Sequence, residues 1–265
     1  MEKQRVEIMG IVNVNDDSFF AQSRAKEKDA FIARFETMLG QGADSIDIGA
    51  VSTRPNMAPV SLEQEWGRLS PVVQLFASRF AGVRFSVDTY RGEIVRRVYD
   101  TAGPFVVNDI SAGEEDPEML ERVAELDLEY IAMHRRGDCI TMHDHYEYGD
   151  IVEDVTEYFK GFDNRATTLG IKDWILDPGF GFSKSIEDNY RLFKGLPELK
   201  KCGRRILVGI SRKRMIYQPL GITPEESLEA VSALHLQALL SGADILRVHD
   251  VAAARGCVTL YEFLK

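Results

Sequence analysis

The sequence predicts an α/β fold: a (β/α)8 TIM barrel forming a single domain over residues 1–265. Three observations predict it. Eight short apolar runs each end in a polar group. Amphipathic stretches of helical period separate them. The chain is slightly longer than a typical barrel of this kind and contains no proline-rich or glycine-serine linker. A doubly wound open sheet is the structural alternative, but eight βα units favour closure.

The elements follow in order. Ile8-Met9-Gly10-Ile11-Val12 ends in Asn13. Glu27 to Leu39 places Ala30, Phe31, Phe35, Met38 and Leu39 at spacings suited to one helical face. The turn Gln41-Gly42-Ala43-Asp44 then leads into Ser45-Ile46-Asp47-Ile48-Gly49, and its glycine suits the left-handed turn after a helix. Ser61-Leu62-Glu63-Gln64 reads as a capping box. Phe85-Ser86-Val87 ends in Asp88, and Phe105-Val106-Val107 in Asn108. Asp116-Pro117-Glu118 offers an N-cap followed by proline at the first helical position. Tyr130-Ile131-Ala132-Met133 ends in His134. Ile151 to Leu169 is a long amphipathic helix closed by Gly170. Trp174-Ile175-Leu176 ends in Asp177, and Ile206-Leu207-Val208-Gly209-Ile210 runs into Ser211-Arg212-Lys213. Thr223-Pro224-Glu225-Glu226 opens a helix to about Leu240. After Ser241-Gly242-Ala243, Ile245-Leu246 runs into Arg247, with His249 and Asp250 just beyond.

Bulk properties narrow the function classes. The formal net charge of −10 argues against non-specific nucleic-acid binding, which needs a basic face. The three cysteines, Cys139, Cys202 and Cys257, fit neither a disulfide framework nor a CxxC metal site, which suits a reducing cytoplasm. Met1-Glu2-Lys3-Gln4-Arg5 leads into an apolar run too short for a signal-peptide core or membrane span. Neither a Walker A sequence nor a GxGxxG after the first strand is present, so the usual nucleotide folds lose their main support.

A barrel collects the C-terminal ends of its strands into one mouth, where Asn13, Asp88, Asn108, Asp177, Lys213, Arg247 and His249 would converge. Asp88, Asn108, Asp177 and Lys213 suit a flat heterocycle with an amino-amidine edge, because a carboxylate accepts two parallel N–H bonds from such an edge. Lys213 could then donate to a ring carbonyl. Arg247, His249 and Asn13 suit a phosphate or diphosphate with a Mg²⁺ that keeps most of its waters. Plainer readings stay open. Asp88 could cap the next helix, Asp177 could start a turn, and Ser211-Arg212-Lys213 could be a solvated loop. Asp47 fits a hydrogen-bonded interior residue better than a catalyst. His143-Asp144-His145 reads as surface loop, Gly179-Phe180-Gly181-Phe182 as a tight turn packed by aromatics, and Cys139 as unreactive.

Taken in order, several blocks resemble the dihydropteroate synthases, a pterin-binding TIM-barrel family. They are Asp47-Ile48-Gly49 with Ser52-Thr53-Arg54-Pro55, Ser86-Val87-Asp88-Thr89-Tyr90-Arg91, Asn108-Asp109-Ile110 and Met133-His134 with Arg136-Gly137. Leu176-Asp177-Pro178-Gly179-Phe180-Gly181-Phe182, Ser211-Arg212-Lys213 and Arg247-Val248-His249-Asp250 complete the set. The resemblance implies that Asp88, Asn108, Asp177 and Lys213 hold the pterin. It implies that Asn13, Arg247 and His249 serve the diphosphate and its Mg²⁺, with Asn13 towards the metal. Thr53, Arg54, Ser211 and Arg212 would form anion and p-aminobenzoate regions. The implied reaction joins 6-hydroxymethyl-7,8-dihydropterin diphosphate to p-aminobenzoate, a sulfonamide-sensitive step of folate biosynthesis, in a cytoplasmic homodimer built through late helices.

The first loop departs from the family. Asn13-Val14-Asn15-Asp16-Asp17-Ser18-Phe19 stands where the family usually reads Asn-Val-Thr-Pro-Asp-Ser-Phe. Losing the proline frees the backbone, and Asp16 adds negative charge beside an anion site. Asn56 replaces a usual glycine, a milder change because asparagine tolerates left-handed backbone. These changes predict weaker binding of p-aminobenzoate and its sulfonamide mimics. They also leave room for a catalytically impaired pterin-binding paralogue; a pterin-dependent methyl-transfer domain is a third reading.

Overall fold

In the computed structural model, residues 5–14, 24–51, 60–138, 141–142 and 146–265 are described, with backbone alone over 24–27. Eight parallel strands close into a barrel in strictly sequential order. They are β1 (Glu7–Asn13), β2 (Ser45–Gly49), β3 (Phe85–Asp88), β4 (Val106–Asp109), β5 (Glu129–Met133), β6 (Trp174–Asp177), β7 (Arg205–Val208) and β8 (Ile245–Val248). Outside them lie α1 (Arg24–Gly40), α2 (Leu62–Phe76), α3 (Gly92–Ala102), α4 (Met119–Glu125) and α5 (Ile151–Leu169). The later helices are α6 (Ile186–Lys194), the single turn α7 (Leu196–Leu199), α8 (Arg214–Leu220), α9 (Leu228–Leu240) and α10 (Val251–Leu264). β1 pairs with both β2 and β8, which closes the cylinder.

Strand side chains alternate between the barrel interior and the helix layer. The outward residues build the main core with the helices; Phe35, Phe76, Phe80 and Phe85 form one contiguous aromatic group there. On α1, Phe35 and Met38 are buried, Phe31 and Leu39 are half-buried, and Ala30 falls on the exposed edge.

The inward residues stack in three chemically distinct layers. At the bottom, Glu7, Arg84, Glu129 and Arg205 alternate in a charge-balanced ring drawn from β1, the start of β3, β5 and β7. Arg205 reaches Glu7 at 3.0 Å and Glu129 at 3.5 Å. Above it, Met9, Val106, Ile131, Ile175, Leu207 and Ile245 form a buried, mainly apolar middle layer, shared by Ser45 and Ser86. One step higher along the same inward parity come Asp47, Asn108 and Arg247, with Ser86 reaching Asp47 from the middle layer. The apolar layer excludes water from below, so this polar layer faces only the mouth.

Several helix signals act as the sequence predicts. Ser61 and Gln64 form a reciprocal capping box at α2. α5 spans the predicted Ile151–Leu169 and ends at left-handed Gly170. Gly42 and Gly242 have φ of 96° and 101° in the turns before β2 and β8. Two expectations are corrected. Asp116 does not cap α4, whose N-cap position is Glu118. Its carboxylate instead accepts from Glu118 N at 3.0 Å and from Gly92 N at 2.7 Å, tying a turn to the start of α3. Thr223 and Glu226 do make capping-box contacts, but they open a 3-10 turn at Glu225–Ser227, and the α-helix begins at Leu228.

Candidate active site

The strand ends and the loops after them assemble the site at the C-terminal mouth. Asp47, fully buried on β2, is its hub. One carboxylate oxygen accepts from Ser86 Oγ, and both accept from Asn108 Nδ2 at 3.3 Å. Arg247 Nε donates to Asp47 Oδ2 at 2.8 Å, while its Nη2 reaches Asp88 Oδ2 at 3.2 Å. The reading of Asp47 as a hydrogen-bonded interior residue holds; its partners, however, include the candidate site residues Asn108 and Arg247. The two polar sets separated in the sequence are therefore bridged, with Arg247 bonded to Asp88 of the other set and, through Asp47, linked to Asn108.

Asp88 is not a helix cap. The N-cap position of α3 is Arg91, and Asp88 faces Arg247. Burial pushes the Asp88 carboxyl up to about 7; Arg247 opposes that, while neighbouring Asp47 adds to it. Asp177 does start a turn, with Oδ1 accepting from Gly179 N at 2.8 Å. Burial raises its pKa, and the nearby Lys213, Arg247 and Lys184 cations pull it back.

Of Ser211-Arg212-Lys213, only Arg212 is exposed. Lys213 Nζ donates to Phe180 O and lies 4.8 Å from the Phe182 ring centroid. Burial draws its pKa down to about 8, against the opposing pull of Asp177. Ser211 is buried, and its Oγ lies 3.0 Å from His249 Nδ1. Arg212 is exposed and bonds both oxygens of Asp250 at 3.1 and 3.2 Å. Burial, Arg212 and Arg247 lower the His249 pKa to about 4. His249 is thus a neutral imidazole near pH 7.

Asn13 ends β1 at an exposed position beside Gly49. His134 departs from the strand-end pattern. Residues 129, 131 and 133 point inward, so His134 turns outward, where its ring packs edge-on against Tyr158 at 4.9 Å. Thr53 and Arg54 lie outside the described residues, as do Asn15, Asp16, Asn56, Cys139 and His143 to His145.

Three features were missed in the sequence. Ile110, Met133, Met142 and Phe182 form an apolar cluster by the mouth, the kind of wall a flat ring needs. Their strand-end positions were a usable signal for Ile110 and Met133. Arg34 on α1 donates to Ile11 O at 3.1 Å, close enough to Arg212 for the two charges to oppose each other. Lys184 is buried beneath the loop after β6, which nothing in its local sequence suggests. Gly179-Phe180-Gly181-Phe182 is the expected tight turn, with φ of 68° and 83° at its glycines and Phe180 fully buried.

The described residues contain no group of three or more His, Cys, Asp or Glu that could hold a metal. The exposed Asn13 amide offers one neutral oxygen donor. That donor fits Mg²⁺ bound mainly by phosphate and water.

Residues 9–249 match the family described as pterin binding enzyme, so fold and match together define a pterin-binding barrel enzyme. The chain is 38% identical over 253 residues to dihydropteroate synthase from Synechocystis sp., covering 94% of this chain and 87% of that protein. The solved Xanthomonas albilineans dihydropteroate synthase with 4-aminobenzoic acid superimposes with a TM-score of 0.88 at 36% identity, covering 98% and 93% of the two chains. The same enzyme in complex with 7,8-dihydropteroate gives 0.83 at 33% identity, with the same coverage. The chain belongs to the dihydropteroate synthase family. It is a transferase of folate biosynthesis.

Proposed function

We propose that the mouth binds 6-hydroxymethyl-7,8-dihydropterin diphosphate and transfers its pterin-methyl group to p-aminobenzoate, releasing diphosphate and 7,8-dihydropteroate. The observation that carries this reading is the single polar network of Asp88, Asn108, Asp47 and Arg247 above a buried, mainly apolar layer. Asp177 and Lys213 adjoin it, beside the wall of Ile110, Met133 and Phe182. The solved relatives named above carry 4-aminobenzoic acid or 7,8-dihydropteroate, the acceptor and the product of this reaction.

In this reading, Asp177, Asp88 and Asn108 meet the amino-amidine edge of the pterin, and Lys213 donates to its ring carbonyl. The ring lies against the apolar wall. The CH₂–O bond breaks, its electron pair leaves with the diphosphate, and the arylamine nitrogen attacks the methylene carbon. The new ammonium then loses a proton to solvent or diphosphate. The arylamine is neutral near pH 7, so no protein nucleophile or general base is required, and positioning with charge stabilisation supplies most of the rate. Arg247, with Ser211, Arg212 and His249, takes the leaving charge. Thr53 and Arg54 serve the acceptor side. Bound Mg²⁺ would neutralise diphosphate charge, with Asn13 as its protein donor.

A homodimer through the late helices is part of the proposal. α9 packs against α10, and together they leave Leu228, Leu240, Leu260, Phe263 and Leu264 exposed, Phe263 by 86%. Exposed apolar side chains on two adjacent helices suit a second copy of the chain. No helix among the described residues is long and apolar enough to cross a membrane, and a cytoplasmic location is proposed on that basis together with the cysteine pattern.

The decisive assay supplies pterin diphosphate, p-aminobenzoate and Mg²⁺ and follows product mass and diphosphate release. Stoichiometric dihydropteroate and diphosphate are expected. Pterin binding without turnover would replace this reading with an impaired paralogue. Light scattering on the same preparation tests the dimer; a monomer at working concentration removes it.

A further inference from the structure

The loop after β6 is a thin layer of backbone held between two lysines. On its outer face, Lys213 Nζ donates to Phe180 O and faces the Phe182 ring. A Cβ on Gly181 would come within 3.2 Å of Lys213 Cδ. On its inner face lies Lys184, only 5% exposed. Its Nζ donates to Gly179 O and Phe182 O, each at 3.0 Å, and to His134 O at 3.3 Å. Three donors thus meet three carbonyls, one of them just beyond β5. The loop lies so flat against β5 that a Cβ on Gly179 would come within 1.9 Å of His134 O.

Burying an ammonium is costly unless all its protons are bonded. An apolar side chain could fill the same volume without that cost, but it could not hold three carbonyls in one place. The loop does need holding. Ser183 has φ of 49°, a conformation that L residues rarely adopt. It is fastened further by Ser183 N donating to Met142 O at 2.7 Å and by Gly181 N donating to Asn189 Oδ1 at 2.7 Å. The two site groups that depend on this loop are Asp177, bonded to Gly179 N, and Lys213, bonded to Phe180 O.

We propose that Lys184 is a positioning residue of the pterin pocket: by tying His134, Gly179 and Phe182 together, it sets the loop that aims the Asp177 carboxylate and the Lys213 ammonium. The inference rests on the pterin reading of that mouth and adds a residue to it. Lys184 touches no substrate. It acts through backbone, and its effect falls on the pterin side of the reaction.

The test compares Lys184→Met, which keeps length and volume, with Lys184→Arg, which keeps donors and charge. Steady-state constants for each substrate, pterin calorimetry and thermal unfolding are measured on the full chain. For Lys184→Met the expected result is a pterin-diphosphate KM raised by about tenfold, a p-aminobenzoate KM within about twofold, and pterin affinity weakened in parallel. Lys184→Arg recovers part of that loss. Should the Met variant fail to fold, Lys184→Gln, which keeps two donors on a shorter stem, is expected to raise the pterin KM by about threefold or more. A folded Met or Gln variant with an unchanged pterin KM overturns the assignment. So does an equal rise in both KM values alongside lost stability. Wild-type protein inactive with both substrates would instead sink the reaction reading, leaving pterin calorimetry on the same variants to decide the role of Lys184.

Discussion

Arg247 on β8 donates through Nε to Asp47 on β2 at 2.8 Å, joining two residues 200 positions apart. The same guanidinium reaches Asp88 on β3. Asp47 in turn holds Asn108 and Ser86. One buried carboxylate therefore sets the position of groups proposed to grip the pterin and of the cation proposed to take the diphosphate.

Asp47→Asn keeps the shape of the side chain and removes its charge. Arg247 is then paired with Asp88 alone, and the expected loss of stability is up to about 3–5 kcal/mol, the range for breaking a buried pair. Misplacing Arg247 and Asn108 together should lower kcat/KM by about a hundredfold. Denaturant unfolding and steady-state kinetics check this; wild-type kcat/KM in the variant removes Asp47 from the machinery.

The pH dependence of pterin use should be bell-shaped. Asp88, pushed up to about 7, loses its charge and its grip on Arg247 as pH falls through that value. Lys213, drawn down to about 8, loses its proton as pH rises through that value. Both groups are charged only in the narrow window between. The kcat/KM for pterin diphosphate reports groups of the free enzyme, so its profile should fall on both sides. Asp88→Asn should erase the acid limb. Lys213→Ala should abolish turnover while leaving thermal unfolding intact. An acid limb that survives in Asp88→Asn would assign it elsewhere.

His249 is neutral because burial and the neighbouring Arg212, Arg247 and Arg34 disfavour its proton. Pyrophosphate bound among those arginines would cancel their field and raise the imidazole pKa by about one unit or more. An NMR titration of the ring with and without Mg²⁺ and pyrophosphate measures this. A pKa that stays put would mean that His249 does not face the anion.

In the first loop, Asn15 and Asp16, which depart from the family pattern, lie outside the described residues. Asn15→Thr with Asp16→Pro restores the family pattern and removes a negative charge. Acceptor KM and sulfonamide affinity should both tighten in the double variant; unchanged values would show the departure to be silent.

The barrel was legible in the sequence because period-2 and period-3.6 patterns are local. So were the mouth residues Asp88, Asn108, Asp177, Lys213 and Arg247, since each stands at or just beyond the end of an apolar run. His134 shows the limit of that rule. Its strand ends one residue earlier, so it falls on the outer face, and a shift of one residue reverses a side chain. Lys184 shows another limit: a lysine after a glycine-rich turn looks solvated until its three carbonyl partners are seen.

By itself the sequence determined the fold class, the chain order of the elements and the family, all of which follow from local pattern and ordered motifs. Only the tertiary structure decided how the polar groups divide. Closing the barrel places β8 beside β1 and brings Arg247 within reach of β2 and β3, so that it bridges the two apparent sets through Asp47 and Asp88. It also decided charge. The low-dielectric mouth raises the Asp88 pKa against the pull of Arg247, and together with its arginines lowers those of His249 and Lys213, because an ionised group gives up water there and keeps its charge only as far as its neighbours repay it.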